Sequence, residues 1–282
     1  MTTDKKKGQK KTFSMNGAMK CGAGIVGFFL LVALFAKQIA PYDPAQMGVP
    51  YIKPCAEHLL GTNDVGQDIF SELIYGTRVS LLIGVFTAMV VTVFATMLAL
   101  ISGYYKGIPD KLITALTNIT MGLPSLALTV LLVAYLNPGK TSIIISISLT
   151  AWTGTSRILR SRIIQLAEMP FIKIEKAIGM NDFVIMTKHL LPNLKDIILS
   201  RAALAVSSAM MTEAGLSFLG LGDLGSKSWG SILHYAFYQN GVVRGYYWWY
   251  LPPILCTSLT VTGFMLLGYY GVQKMPGGKK DA

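Results

Sequence analysis

The chain alternates between long apolar runs and shorter polar segments. Three runs, residues 79–103, 112–139 and 245–273, contain no Asp, Glu, Lys or Arg over 25, 28 and 29 residues. An α-helix needs about 20 mainly apolar residues to cross the hydrocarbon core of a bilayer. Each of these runs therefore predicts a membrane-spanning helix.

Three further segments are weaker candidates for spans. Residues 21–36 and 141–156 are 16 residues long and reach spanning length only with their flanking residues. Residues 197–221 are long enough but contain Arg201 and Glu213. Together with a composition of 52% hydrophobic and 14% charged residues, these segments predict an all-α polytopic membrane protein with six transmembrane helices.

Positive charge is unevenly distributed between the two sides of these spans. With the N-terminus inside, 18 of the 25 Lys and Arg residues lie on the inner side, six lie on the outer side, and Arg201 lies within the fifth span. Because positive charge resists translocation, both termini are expected to be cytoplasmic. The net charge of +11 then needs no nucleic-acid partner, although the basic N-terminus is expected to contact anionic lipid.

The spans divide the chain into five regions. The basic start followed by an apolar run is typical of a signal peptide, but Pro41 follows the expected cleavage position and five more spans come later, so the first span is expected to be retained. The predicted regions are a cytoplasmic basic N-terminus (1–20), a first transmembrane helix (21–40), an extracytoplasmic loop (41–78), a core of five transmembrane helices (79–273) with a cytoplasmic loop at 157–195, and a cytoplasmic tail (274–282).

The cytoplasmic loop holds seven of the basic residues and a short amphipathic pattern. Pro170 is predicted to open a helix that Gly179 ends. Phe171, Ile174 and Ile178 line one face of it at i, i+3 and i+7. A short helix with an apolar face is suited to a groove on another protein.

A second short helix is predicted directly after this one. Asn181 or Asp182 is expected to cap its N-terminus. The helix is expected to end before Pro192, because a proline interrupts the helical hydrogen bonds.

The sequence argues against catalytic and metal sites in this chain. The G-K-T at residues 139–141 lacks the glycine of a nucleotide loop, because Ala134 stands at that position. Ser217 and His234 suggest an intramembrane hydrolase, but His234 is predicted to lie in a loop outside the spans. The three histidines are expected in loops on different sides, which disfavours a shared metal site, and the three cysteines form no metal-binding or disulfide pattern.

Glu213 is unusual because an acidic residue within a span is costly, about 3 kcal/mol on insertion scales. One interpretation places it on a water-filled pathway or against another subunit, together with Met210 and Ser217 on the same segment. The other interpretation is a structural hydrogen bond to the backbone near the outer end of the span. The sequence leaves both open.

Several blocks of residues resemble a known family. The A-I-G-x-x-D at residues 177–182 and the H-L-L-P-N at 189–193 resemble the cytoplasmic "EAA" loop of binding-protein-dependent ABC importers. Further blocks are similar to the C-type permeases of the dipeptide, oligopeptide and nickel group: H-L-L-G-T at 58–62, Y-G-T-R-V-S-L at 75–81, E-A-G-L-S-F-L-G-L-G at 213–222, S-W-G at 228–230 and L-P-P at 251–253.

The resemblance implies a type I ABC importer permease fold in the cytoplasmic membrane, with peptides as cargo and nickel or a metal chelate as the alternative. It implies a second homologous permease subunit, two ATP-binding subunits that carry ATP and magnesium, and an extracytoplasmic solute-binding protein, with no cofactor in this chain. The residues expected to couple to the ATPase are Phe171, Ile174, Glu175, Ala177, Ile178, Gly179 and Asp182. A secondary transporter or channel, which would act without an ATPase, is the minor alternative.

The chain also departs from the family pattern. Lys173 stands at the Glu of "EAA" and Glu175 at its second Ala. In the outer loop, Gln67 replaces a usual Arg, and Glu72 stands where Arg is usual. These changes leave the cargo and the electrostatics of coupling open.

Overall fold

The structure, a computed structural model, describes residues 17–223 and 225–272. Most of the predicted N-terminal region and the predicted tail (274–282) lie outside these residues. The described part of the chain is helical and forms no β-strand beyond one isolated bridge between Thr62 and Asp68. Its helices are α1 (Gly17–Leu34), α2 (Ala36–Ile39), α3 (Ile69–Tyr105), α4 (Gly107–Gly122), α5 (Ser125–Tyr135), α6 (Lys140–Ala167), α7 (Pro170–Ala177), α8 (Asp182–Val184), α9 (Leu191–Leu216), α10 (Trp229–Tyr238) and α11 (Tyr247–Val272).

Helix α3 begins ten residues before the charge-free run that predicted it. The side chain of Asp68 accepts a hydrogen bond from the Ser71 N–H at 2.8 Å and so caps the helix. The predicted loop 41–78 therefore includes the first ten residues of α3. With 37 residues, α3 is about 55 Å long and extends beyond the roughly 30 Å hydrocarbon core.

The run at 112–139 forms two helices instead of one straight span. Helices α4 and α5 meet at an angle of 92°. Pro124 disfavours the helical conformation at the preceding residue, and Leu123 is extended, with φ −94° and ψ 143°. A charge-free run reveals length and polarity but not this bend.

Among the residues that the structure describes, four helical segments are long and apolar enough to cross a membrane, and five if the bent pair counts as one span. They are Gly17–Leu34, Ile69–Tyr105, Asp182–Leu221 and Tyr247–Gly271, with α4 and α5 as the bent pair. Helix α6 is long, but three arginines lie in its second half. The six predicted spans are consistent with this architecture, and their number stays a prediction.

The second short helix of the cytoplasmic loop does not end before Pro192, so that prediction was wrong. Asn181 caps α8 as expected, accepting the Phe183 N–H at 2.8 Å. The chain then continues through a π-helical stretch, Ile185–Leu190, into α9. Pro192 lies in the first turn of α9, where a missing N–H is tolerated, directly after a π-helical register that changes the usual i to i−4 pairing.

Helix α3 lies at the centre of the bundle and packs against α6 and α9, while α11 packs against α9 and α1. Small residues allow these approaches, as is common between membrane helices. A Cβ on Gly22 of α1 would lie 2.8 Å from the Gly263 carbonyl oxygen of α11, and one on Gly103 of α3 would lie 2.8 Å from Ile163 of α6.

We expect Gly22→Val to separate α1 from α11, because the added atoms meet backbone that cannot move aside. The expected loss is about 1–3 kcal/mol of stability, measured as a lower melting temperature in detergent. Gly27→Val in the same helix is the matched control, since a Cβ at Gly27 has no atom within 4 Å. Equal melting temperatures for the two variants would contradict this packing.

Candidate functional site

Helix α7 has the bounds that the sequence predicts. It begins at Pro170, which follows Met169 in an extended conformation, and its last helical residue is Ala177. Proline suits this first position because its fixed φ is already helical and its missing N–H would have no partner there.

Gly179 ends the helix with a left-handed backbone, at φ +80°. The Met180 N–H donates to the Glu175 carbonyl at 3.0 Å, and the Gly179 N–H donates to the Lys176 carbonyl at 3.1 Å. These two bonds form a Schellman motif. A Cβ at Gly179 would have no atom within 4 Å, so replacing this glycine costs backbone conformational energy of about 1–2 kcal/mol rather than a clash.

The two faces of α7 have different surroundings. Ile172 is 2% exposed and packs into an apolar cluster with Ile163, Ile185 and Leu190. On the other face, Ile174 and Ile178 are 62% and 70% exposed. Helix α7 is thus anchored by one side chain and presents an apolar surface outward.

We call this outward surface the α7 face, which consists of Phe171, Ile174, Ala177 and Ile178, all exposed. Phe183, at the start of the next helix, is also exposed and was missed by sequence reasoning. The signal for it was available, since Asn181 marks a new helix start and Phe183 follows two residues later.

Glu175 and Asp182 make contacts within the chain. The Glu175 carboxylate lies 3.0 Å from Nδ1 of His189, and the Tyr104 hydroxyl donates to Asp182 at 2.6 Å. Lys176 lies over the Tyr104 ring, 5.3 Å from its centre. Glu175 and Lys176 thus tie α7 to the π-helical stretch and to the end of α3, while Asp182 ties the start of α8 to α3.

Lys173, a departure from the family pattern, pairs with Glu168 just before α7. Lys173 and Lys106 lie 3.0 and 2.6 Å from the Glu168 carboxylate. Hydrogen bonds and charge from Lys106 and Lys173 lower the pKa of Glu168 to about 2. All three side chains are exposed, so the pairs orient the loop and add little stability.

Glu213, Met210 and Ser217 are brought together and are all buried. The Ser217 hydroxyl donates to the Glu213 carboxylate at 2.7 Å. Met210 packs against α3 beside Gly84. The hydrogen bond of Glu213 is made to a side chain rather than to the backbone, and a pathway role for these three residues stays a prediction.

His234 lies in α10, not in a loop as expected. Its Nδ1 atom lies 2.7 Å from the Phe218 carbonyl oxygen, while the Ser217 hydroxyl is bonded to Glu213. The two side chains of the hydrolase interpretation are thus each engaged elsewhere. Within residues 17–223 and 225–272, no three His, Cys, Asp or Glu residues are grouped as metal ligands.

A buried polar network lies at the other end of α3. The Asn63 side-chain amide donates to Gln67 and to Glu72, both at 2.9 Å. The Lys227 ammonium donates to the same two side chains. Gln67 and Glu72 thus share one lysine, whose positive charge lies against the buried carboxylate of Glu72.

Comparison with known proteins places the chain in a family. Residues 95–275 match the family described as "Binding-protein-dependent transport system inner membrane component". The chain belongs to this family.

Relatives of this permease are named for peptide transport. It is 34% identical to the dipeptide transport system permease protein DppC of Alkalihalophilus pseudofirmus, over 92% of this chain and 85% of that protein. It is 31% identical to the oligopeptide transport system permease protein OppC of Bacillus subtilis, over 91% and 84%. It is 30% identical to the glutathione transport system permease protein GsiD of Pectobacterium atrosepticum, over 87% and 82%.

The fold of this permease is similar to that of a solved importer. The MetNI methionine ABC transporter, in inward-facing conformations, matches with a TM-score of 0.52 and 17% identity, over 71% of this chain and 94% of that chain. The predictions of an ABC importer permease of the C-type, an all-α membrane protein and this fold are confirmed.

We expect Lys227→Met to destabilise the permease because it leaves the buried Glu72 carboxylate without its cation. The expected loss is about 3 kcal/mol, seen as a lower melting temperature in detergent. The double variant Glu72→Gln with Lys227→Met should recover most of it. Lys140→Met, which removes a partly exposed pair with Asp223, is the control and should cost under about 1 kcal/mol. Equal stability of Lys227→Met and the wild type would refute this role.

Proposed function

We propose that the chain is one of the two permease subunits of an ATP-driven importer that moves peptides across the cytoplasmic membrane. The α7 face carries this proposal, because it is an anchored, exposed apolar surface with no partner inside the described chain. Peptide cargo is supported by the names of the relatives, which include dipeptide, oligopeptide and glutathione transport systems.

The partners are two ATP-binding subunits, a second homologous permease and an extracytoplasmic solute-binding protein. ATP and magnesium bind the ATP-binding subunits, and the α7 face docks in a groove on one of them. The excess of Lys and Arg in the loop around α7 supports a cytoplasmic position for this end of the bundle and for both termini.

Movement passes from the ATP-binding subunit to the spans through Ile172. This side chain belongs to an apolar cluster with residues of α6, α9 and the π-helical stretch, and the cluster continues to Ala99 and Tyr104 of α3. A displacement of α7 therefore shifts the ends of three long helices together. Rigid-body rocking of the bundle between outward and inward states follows.

We expect Gly179→Val to uncouple ATP hydrolysis from uptake while the complex still assembles. A β-branched residue is strained at φ +80°. The backbone after α7 is therefore expected to take another direction, which changes the orientation of α7 relative to α8. The measurement is peptide uptake per ATP hydrolysed in proteoliposomes. Gly245→Val is the matched control, since Gly245 has φ +74° and equally open surroundings in the loop before α11; normal coupling in Gly179→Val would refute the role of Gly179.

Copurification in mild detergent, followed by uptake assays, tests the proposed function. The wild-type chain should retain its ATP-binding subunits, whereas Ile174→Glu with Ile178→Glu should lose them. Val243→Glu is the control, because Val243 is a still more exposed apolar residue outside the α7 face. Retention of the ATP-binding subunits by the double variant would contradict docking on the α7 face, and uptake of nickel without peptides would contradict the cargo.

A further inference from the structure

A cavity of about 260 Å³ lies between α5, α6 and α9. Six of its nine lining residues carry hydroxyl groups: Ser125, Thr129, Thr150, Thr153, Ser208 and Thr212. None of the nine is charged. A set of hydroxyls around one opening, in helices that are otherwise apolar, gives a polar but neutral surface.

The hydroxyls of this cavity are only partly used within the chain. Thr129 and Thr150 lie 3.0 Å apart and also donate to carbonyls of their own helices. Thr212 donates to the Ser208 carbonyl at 2.9 Å. The hydroxyls of Ser125, Thr153 and Ser208 make no hydrogen bond to any residue that the structure describes, so they are available to a ligand.

A second cavity of about 530 Å³ adjoins the first along α9 and shares Ser208 and Thr212 with it. Arg201 lines this second cavity and is the single charged residue in the two linings. The Arg201 Nε atom is buried without a hydrogen-bond partner among the described residues, and Nη2 lies 3.4 Å from the Thr155 hydroxyl. Arg201 and Ser208 are seven residues apart, about 10 Å along the helix.

We call the two adjoining cavities together the groove, which has neutral hydroxyls at one end and one guanidinium at the other. Hydroxyls both donate and accept hydrogen bonds, so they match the alternating N–H and C=O groups of a peptide backbone. A guanidinium binds a carboxylate through two parallel hydrogen bonds. The groove therefore fits an extended solute that has amide groups and ends in a carboxylate.

The same groove is unsuited to a bare metal cation. Nickel and similar ions bind imidazole, thiolate or carboxylate groups, and neither lining includes such a residue. Arg201 would in addition repel a cation. The chemistry of the groove thus favours peptides over a bare nickel ion.

We infer that this groove is the chain's half of the translocation pathway and that it binds peptides. Its hydroxyls hydrogen-bond the main-chain amides of the peptide, and Arg201 binds the terminal carboxylate. The inference rests on the proposed function and adds the site and the ligand groups that it recognises. The hydroxyl cavity is smaller than the roughly 300 Å³ of typical small-molecule pockets, in agreement with a site that the second permease completes. Contacts to the backbone are independent of side-chain identity, as transport of varied peptides requires.

The test compares matched hydroxyl deletions in the full transporter reconstituted in proteoliposomes, with trialanine as the probe. The groove variant is Thr153→Val with Ser208→Ala. The control is Thr92→Val with Ser146→Ala, the same two changes at buried hydroxyls that also lack partners and lie outside both linings. We expect the groove variant to import trialanine about five- to tenfold more slowly, the effect of one or two lost hydrogen bonds, with normal stimulation of ATPase activity by the binding protein.

Arg201 is tested in the same assay. Arg201→Met should lower trialanine uptake about tenfold. Arg201→Lys should recover part of the uptake, because lysine keeps the positive charge but lacks the paired N–H donors of the guanidinium. Equal uptake by the groove and control variants, or normal uptake by Arg201→Met, would overturn the inference. A parallel loss of stimulated ATPase activity in the groove variant would assign these residues a structural role and overturn it as well.

The failure of the proposed function has a different signature. A wild-type transporter that imports no trialanine, or that imports nickel alone, would refute peptide import itself. A wild-type transporter that imports trialanine, with groove variants that match their controls, would refute only the site.

Discussion

The burial of Ile172 is the contact on which the rest of the mechanism depends. This side chain places α7 in an apolar cluster that includes residues of α3, α6 and α9, while the residues beside it in sequence face outward. Complete burial of an isoleucine stabilises a contact by about 2 kcal/mol or more, enough to hold a helix of eight residues in one place. Without this anchor, α7 would be held mainly by the contacts of Glu175 with His189 and of Lys176 with Tyr104.

Features set by neighbouring residues could be predicted from the sequence. The start of α7 at Pro170 and its end at Gly179 depend on local backbone preferences, so the pattern alone located both. The bend between α4 and α5 is also local, but hydropathy masked it, since Pro124 lies in an uninterrupted apolar run. The helix through Pro192 could not be predicted because a π-helical stretch has no clear sequence pattern.

Features that join distant parts of the chain were beyond the sequence. Lys227 and Glu72 are 155 residues apart, and nothing in either neighbourhood indicates their pairing. Taken singly, Gln67 and Glu72 read as losses of positive charge from the family pattern. In the structure both side chains accept hydrogen bonds from Lys227, which lies in the connection before α10. The groove along α9 was missed for the same reason, because its hydroxyls come from three helices.

The end of α7 is formed entirely by main-chain hydrogen bonds, from Gly179 and Met180 to the carbonyls of Lys176 and Glu175. Such a joint is insensitive to the identity of the side chains around it, provided that the glycine is retained. Lys173, which is exposed and pairs with Glu168 outside the helix, can therefore be exchanged without altering the backbone angle at the end of α7. Under the proposed function, exposed side chains of this segment would determine which ATP-binding subunit docks, whereas main-chain atoms would set the angle of α7.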